Sequence, residues 1–165
     1  MNIVWFKRDL RIFDNVALTE AAREGAFIPL FIYEPTIWVN SNLGSGHHKF
    51  LFESLHSLNT DLSKLGQPLV FRKGDCIEVF SAIVNAFKIK TVFSYEEAWN
   101  YVSFKRNLAL RDWFRSEKID WREFPRNGVV RGLKSRDDWS KKWKDRMDCP
   151  PEKVPVRIDK VEIKS

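Results

Sequence analysis

The sequence predicts an α/β fold in which helices cover both faces of a doubly wound, five-stranded parallel sheet. Short, nearly continuous apolar runs alternate with stretches of helical periodicity between residues 2 and 124. Such runs are typical of strands that are covered on both faces. Alternating strands and helices imply right-handed β–α–β crossovers, which keep successive strands parallel. We therefore expect a Rossmann-like sheet with the strand order 3-2-1-4-5.

The first two strands are apolar runs that a capped helix connects. Residues 2–6 and residues 26–33 form these runs. Between them, Asp14 or Asn15 is predicted to cap a helix, because short polar side chains accept the free N–H groups of a first helical turn. Turn-forming residues are frequent over residues 34–46, and we expect a loop there.

A stripe of leucines marks the second helix. Its members recur at alternating spacings of four and three residues, which places them on one face of a helix. Gly66 ends the pattern, and residues 68–71 follow as the third strand. The stripe consists of Leu51, Leu55, Leu58, Leu62 and Leu65.

The remaining part of the predicted sheet continues this alternation. Gly74 and Asp75 introduce the third helix, and residues 90–94 form the fourth strand. The fourth helix covers about residues 102–117. Residues 119–124 alternate between apolar and polar side chains, which is typical of a half-buried strand.

The chain changes character after the fifth strand. We divide it into an α/β domain of residues 1–134 and a basic segment and linker of residues 135–165. A short polar helix is predicted over residues 137–147, with Trp139 and Trp143 on one side. The prolines that follow this helix are typical of a linker.

Most of the excess positive charge lies in this C-terminal region. The net charge is +6, and residues 126–146 hold eight basic residues against three acidic ones. Cations interleaved with tryptophans suit contact with the phosphates and bases of nucleic acid. A solvated helix that docks on another part of the protein explains the same residues. The sequence leaves both interpretations open.

Composition excludes several classes of protein. A chain of 165 residues suits one domain with a sizeable core. No apolar run is long enough to span a membrane, and a strand from residue 2 leaves no room for a signal peptide, so we expect a cytoplasmic protein. Two widely separated cysteines, and histidines without a carboxylate at ligand spacing, predict neither a disulfide nor a metal site. The sequence contains no nucleophile elbow and no phosphate-binding glycine loop.

The loop after the first strand is the strongest candidate for a ligand site. Ligands of open α/β sheets bind at the carboxyl ends of the strands, beside the point where the strand order reverses. With the predicted order, that point lies between the first and fourth strands. Lys7, Arg8 and Asp9 follow the first strand without a glycine. Side chains, rather than closely approaching backbone N–H groups, are therefore expected to meet a ligand there.

The loop after the fourth strand lies across the switch point from this first loop. It supplies Glu96, Glu97 and Trp99. Cations on one side, carboxylates on the other and an indole nearby suit a flat heteroaromatic ligand, because carboxylates accept ring N–H groups and indoles stack. The alternative is structural: the charged residues pair with one another and hold the loops. We favour that structural role for Asp9.

The opening segment resembles the signature of the DNA photolyase and cryptochrome family. Residues 4–18 read V-W-F-K-R-D-L-R-I-F-D-N-V-A-L, and the family signature reads V-W-F-R-R-D-L-R-x-x-D-N-x-A-L. Lys7 replaces a common arginine. Three later stretches resemble the family in the same order and spacing, so that the resemblance spans roughly residues 1–147: residues 50–55, residues 67–75, and residues 96–97 with 111–113.

This resemblance implies a specific role for the chain. In that family, the N-terminal α/β domain binds a light-harvesting antenna chromophore, which is a folate, a deazaflavin or flavin mononucleotide (FMN). A helical domain that follows, and that this chain lacks, holds FAD; the fragment alone is therefore not catalytic. The implied parent is a deoxyribodipyrimidine photolyase, a lyase that repairs pyrimidine dimers in DNA by blue-light-driven electron transfer from FAD. Its implied partners are its own helical FAD domain and damaged DNA.

The sequence leaves the antenna and the exact class of the parent open. Glu97 matches an acidic antenna contact in some family members, whereas Gly46 or His47 stands where an arginine is common, and Trp99 stands at a frequently acidic position. A cryptochrome blue-light receptor and a stand-alone nucleotide-binding or interaction module are the alternatives. The candidate cofactor-binding residues are Lys7, Arg8, Asp9, Glu96, Glu97 and Trp99.

Overall fold

Strands and helices alternate along the chain in the order that the sequence predicts. The computed structural model describes residues 1–39, 44–126, 128–133 and 135–163. The elements within these residues are β1 (Asn2–Phe6), α1 (Val16–Glu24), β2 (Phe27–Tyr33), α2 (Pro35–Val39), α3 (Ser45–Lys64), β3 (Val70–Lys73), α4 (Cys76–Ala86), β4 (Thr91–Tyr95), α5 (Tyr101–Ser116), β5 (Asp120–Phe124) and α6 (Trp139–Met147).

The strands form one parallel sheet in the order β3-β2-β1-β4-β5, which confirms the predicted topology. β1 pairs with both β2 and β4. The strand order therefore reverses beside β1, and the crevice at the carboxyl ends of β1 and β4 is the switch point of the sheet.

Helices cover both faces of the sheet, and β1 contributes to two separate cores. Val4 and Phe6 belong to the core that contains residues of α1 and the leucines of α3. Ile3 and Trp5 belong to the core that contains residues of α4 and α5. Because successive side chains of a strand point to opposite faces, this division confirms a doubly wound sheet that is buried on both sides.

Two helix starts lie where the sequence predicts them. The Oδ1 atom of Asn15 accepts a hydrogen bond of 3.0 Å from the N–H of Leu18 and caps α1. The Oδ1 atom of Asp75 accepts one of 2.8 Å from the N–H of Ile77 and caps α4. These caps satisfy backbone donors that have no partner inside the helix.

The prediction of a loop throughout residues 34–46 is wrong in part, because the short helix α2 begins at Pro35. The carbonyl of Glu34 accepts hydrogen bonds from the N–H groups of Ile37 and Trp38. Proline is well suited to a first helical position because it has no N–H group to satisfy. The burial of Ile37 then anchors the turn. Residues 40–43 lie outside the described residues.

The third strand begins later than residue 68. The N–H of Leu69 donates to the Oδ1 atom of Asn59 at 2.9 Å, and Pro68 has no N–H group. Neither residue is therefore free to donate to β2, and parallel pairing starts at Val70, opposite Leu30.

The C-terminal segment, residues 150–163, packs back onto the α/β domain. The N–H of Glu152 donates to the carboxylate of Asp14 at 3.2 Å, and the N–H of Ile158 donates to the carbonyl of Leu65 at 2.7 Å. The side chain of Ile158 is buried in the core on the α1 and α3 face. The segment thus runs from the start of α1 to the end of α3. The division at residue 134, with a linker toward a further domain, stays a prediction.

Candidate functional site

A cavity of about 230 Å³ lies at the carboxyl ends of β1 and β2, beside the loop that follows β4. It occupies the crevice where an open α/β sheet binds its ligands. Its walls are largely aromatic and its floor is charged. The residues that line it are Trp5, Lys7, Arg8, Leu10, Phe31, Ile32, Glu34, Ile37, Trp38, His47, Phe50, Leu51, Glu97, Trp99 and Arg106.

The floor is a buried ion-pair network centred on Arg106 of α5. Its guanidinium donates to Glu34, which follows β2, and to Glu97, which follows β4. The three side chains are 11%, 7% and 6% exposed, respectively. Each carboxylate thus has a charged partner, which offsets part of the cost of burying it. The network holds together three elements that meet at the cavity.

Burial and charge act in opposite directions on the pKa values of this network. Burial raises the pKa of Glu34, and the positive charge of Arg106 opposes that shift. Burial alone would lower the pKa of Arg106, but the carboxylate of Glu97, with Cys76 and Glu34, raises it overall. Arg106 is therefore cationic at every physiological pH.

Three tryptophans, Trp5, Trp38 and Trp99, line the cavity. The guanidinium of Arg8 lies 4.0 Å from the ring centroid of Trp99, which is a cation–π contact. Trp99 and Trp38 of α2 form an edge-to-face contact with a centroid distance of 6.0 Å. The guanidinium carbon of Arg106 lies over Trp5, 4.9 Å from its ring centroid. A planar ligand in this cavity would therefore meet π surfaces and guanidinium groups together.

Lys7 lies beside the cavity with its ammonium group turned into the protein. The Nζ atom lies 4.7 Å from the ring centroid of Trp5 and 5.6 Å from that of Trp121. Its ionic partner is Glu123 at 3.9 Å, and no described residue accepts a hydrogen bond from it. Burial lowers the pKa of Lys7 to about 8, against the attraction of Glu97 and Glu123.

Four of the six predicted site residues line the cavity: Lys7, Arg8, Glu97 and Trp99. Asp9 does not line it. Its Oδ1 atom accepts a hydrogen bond of 3.2 Å from the N–H of Lys7, and its side chain holds the turn after β1. Burial raises the pKa of Asp9, although hydrogen bonding to Lys7 opposes this shift.

Glu96 also lies outside the cavity. Its carboxylate is 4.0 Å from the guanidinium of Arg131. Arg131 in turn donates to Glu123 at 2.8 Å and to the carbonyl of Glu97 at 3.1 Å. Glu96 thus belongs to a partly buried ion-pair cluster around Arg131, which follows β5.

Sequence reasoning missed Arg106, Glu34 and Trp38. Glu34 directly follows β2, and the position after a parallel strand was a usable signal. Arg106 lies between Ser103 and Leu110, which are both buried on α5. A charged residue beside the buried row of a helix was therefore the second signal. Trp38 gave no signal, because α2 was predicted to be a loop.

The described part of the chain contains no group of three or more His, Cys, Asp or Glu side chains arranged to hold a metal ion. None of its helices is both long and apolar enough to cross a membrane. Cys76 is buried and Cys149 is exposed, and both are free thiols.

Comparisons with known proteins identify the family to which the chain belongs. A family model described as DNA photolyase matches residues 2–145. Cryptochrome-2 of Arabidopsis thaliana is 37% identical over 114 residues, a match that covers 67% of this chain and 18% of that protein. A deoxyribodipyrimidine photo-lyase of Agrobacterium fabrum is 30% identical over 123 residues, which covers 74% of this chain and 25% of that protein. The chain thus spans about a quarter or less of the length of these relatives.

A solved structure agrees with these matches at the level of the fold. The archaeal photolyase from Sulfolobus tokodaii, described with two FAD molecules and as implying a novel light-harvesting cofactor, superposes with a TM-score of 0.73 at 21% sequence identity. The match covers 98% of this chain and 39% of that one. The chain corresponds to the N-terminal α/β domain of these proteins. Since the family model covers most of the sequence, the chain belongs to the DNA photolyase and cryptochrome family.

Proposed function

We propose that this domain binds a light-harvesting antenna chromophore for a photolyase-like flavoprotein. The observation that carries the proposal is the cavity at the switch point of the sheet, where aromatic walls enclose a floor of one guanidinium and two carboxylates. Such a mixture of π surfaces and a few convergent polar groups is typical of sites for planar ligands.

The cavity suits the ring system of such a chromophore. Ligand pockets measure about 300–1,000 Å³, and this cavity of about 230 Å³ lies just below that range. One fused heteroaromatic ring therefore suits its interior, and any phosphate or polar tail lies beyond its mouth. Folates, deazaflavins and FMN share such a ring, with N–H groups for carboxylates to accept and carbonyl groups for guanidinium groups to donate to.

The chain's own residues would bind and orient the ring. Glu97 presents a carboxylate that is ion-paired with Arg106, and Arg8 lies against the ring of Trp99 at the cavity. Leu10, Ile37 and Leu51 exclude water from the walls. When bound, the antenna absorbs light and passes the excitation to FAD.

The remainder of the proposal concerns the parent protein. In this proposal, a helical domain that follows residues 135–165 holds FAD. The whole protein binds damaged DNA and splits pyrimidine dimers, and it acts in the cytoplasm. The similarity to cryptochrome-2 favours a second candidate, a blue-light receptor. Sequencing the gene beyond the codon for Ser165 tests whether a helical FAD domain follows. If the natural protein ends at Ser165, the remaining candidate is a stand-alone nucleotide-binding or interaction module.

Antenna binding is tested by equilibrium dialysis of the purified chain against a reduced folate, a deazaflavin and FMN, with absorption spectra of the retained ligand. We expect one of them to bind with shifted absorption bands. Arg8→Ala should weaken this binding roughly tenfold or more, the size expected for one charged hydrogen bond. The fold should remain intact, because Arg8 is exposed.

Arg115→Ala is the matched control, because Arg115 is an exposed arginine of α5 that pairs with Asp112 outside the cavity. It should leave the affinity unchanged. Retention of none of the three ligands would refute binding of a folate, deazaflavin or FMN antenna by this domain. Equal effects of the two arginine substitutions would show that the cavity is not the site.

A further inference from the structure

One face of α6 combines exposed aromatic and basic side chains. Trp139, Trp143 and Met147 recur every four residues and therefore lie in one row along the helix. They are 39%, 44% and 48% exposed. Basic side chains flank the row on both sides. Lys142 and Arg146 follow Trp139 and Trp143 by three residues, and Lys144 precedes Met147 by three residues. The α6 face comprises Trp139, Trp143, Met147, Lys142, Lys144 and Arg146.

Acidic side chains lie on the opposite side of α6. Asp138 and Asp145 share a row with Lys141, since these positions are three and four residues apart. Lys142 and Arg146 border the two indoles on one side, and Ser140 borders Trp143 on the other. Asp138 and Asp145 are neighbours of Lys142 on its far side from the indoles, so no acidic side chain of the helix lies next to the rings. The α6 face is complementary in charge to an anionic partner.

The two indoles are held in place before any partner binds. Their ring centroids are 6.4 Å apart and their planes differ by 26°. Trp139 donates its indole N–H to the carbonyl of Gly128 at 2.7 Å. A Cβ atom at Gly128 would lie 2.8 Å from Trp143, so the indoles pack directly on the backbone there. Rings fixed in this way lose little conformational entropy when a planar partner stacks on their exposed surface.

We propose that the α6 face is a contact surface for single-stranded nucleic acid that acts independently of the antenna cavity and of any DNA lesion. Aromatic rings that stack unpaired bases, bordered by cations that meet phosphates, are the two elements of such surfaces. Tryptophan, methionine and arginine also occur often at protein interfaces, but lysine is depleted there. The lysines that flank the row therefore favour an anionic partner. A membrane fits less well because the apolar row has only three side chains.

The test is fluorescence anisotropy of a labelled single-stranded oligonucleotide with the full chain, over a series of salt concentrations. The double variant Lys142→Ala/Lys144→Ala should lower the affinity about tenfold at low salt. It should also reduce the slope of log K against log salt by about 1.4, the value for two lost phosphate contacts on a single strand. Trp143→Leu keeps an apolar side chain against Gly128 and should lower the affinity about tenfold through lost stacking.

Matched controls separate this surface from general charge. Lys141→Ala lies on the acidic side of the same helix, and Lys88→Ala/Lys90→Ala removes two exposed cations from the other end of the sheet. Phe104→Leu removes an exposed ring from α5. All three should leave the affinity within about twofold of the original.

Three results would overturn the proposal: no binding of the oligonucleotide, equal losses in the control variants, or duplex binding as tight as single-strand binding and insensitive to Trp143→Leu. No chromophore is added in this assay. A failure here therefore says nothing about the antenna cavity, and a failure of antenna binding leaves this result intact.

Discussion

Three buried polar atoms at the loop after β1 have no hydrogen-bond partner among the described residues: Nζ of Lys7, Oδ2 of Asp9 and Oε1 of Glu123. Lys7 and Glu123 attract one another at 3.9 Å without a hydrogen bond. Buried charges without hydrogen bonds reduce stability, because their lost hydration is not replaced. This small region therefore lowers the stability of the domain at neutral pH.

Lys7→Met should stabilise the protein at pH 7. The folded-state pKa of Lys7 is about 8, against an ordinary value of 10.5, so the unfolded chain binds more protons between these values. The free energy of unfolding of the original protein consequently rises with pH across that window. The variant lacks this ionisation penalty and should be more stable by about 3 kcal/mol below pH 8.

This advantage should decline between pH 8 and pH 10.5 and vanish above it. Urea denaturation of both proteins at several pH values measures the difference. Lys90→Met, at an exposed lysine, is the control and should show no such pH dependence. A Lys7→Met variant that is less stable at every pH would mean that the Glu123 ion pair outweighs the cost of burial.

At the scale of elements, two glycines with positive φ end helices in different surroundings. Gly25 follows α1 with φ of 114°, and Gly66 follows the end of α3 with φ of 111°. A Cβ atom at Gly25 would meet nothing within 4 Å, whereas one at Gly66 would lie 2.7 Å from the carbonyl oxygen of Ile158. Only Gly66 therefore serves both the backbone turn and the close approach of the C-terminal segment.

Gly66→Ala should destabilise the fold more than Gly25→Ala. Each alanine is strained by its positive φ, at about 1–3 kcal/mol. Gly66→Ala additionally forces the C-terminal segment away from α3. Chemical denaturation gives both values, and amide exchange at Ile158, whose N–H donates to Leu65, reports the displaced segment. Equal losses with unchanged exchange would show that the segment adapts without cost.

At the scale of the whole molecule, the C-terminal segment completes the core. Ile158 is 2% exposed and belongs to the same core as Phe6, Leu18 and Leu62. The residues that the sequence predicts to be linker therefore contribute to the folded domain.

Ile158→Ala should lower the free energy of unfolding by about 2–5 kcal/mol, as large-to-small changes in a packed core do. Val156 lies two residues away and is 98% exposed, so Val156→Ala should change it by less than about 0.5 kcal/mol. Thermal and urea denaturation of the two variants measure this contrast. Similar values for both would show that the segment is not part of the cooperative unit.

Local patterns were sufficient to predict most of the fold. The apolar strand runs, the caps at Asn15 and Asp75 and the leucine stripe of α3 are each encoded within a few residues, because strand and helix periodicities act over that range. The predicted strand order was the usual one for a doubly wound sheet of alternating strands and helices. The exceptions were α2, where hydrogen bonds to Glu34 outweighed the turn signals, and the start of β3, where a hydrogen bond from Leu69 to Asn59 replaced strand pairing.

The sequence by itself determined the sheet, its switch point and the residues of the two loops that meet there. Only the tertiary structure decided which side chains form the cavity. Arg106 joins Glu34, 72 residues away, and Glu97, and Ile158 reaches a core built from the first 95 residues of the chain. The physical reason is that periodicity records which face of an element is buried. The ion-pair partner of a buried charge depends on how distant elements pack.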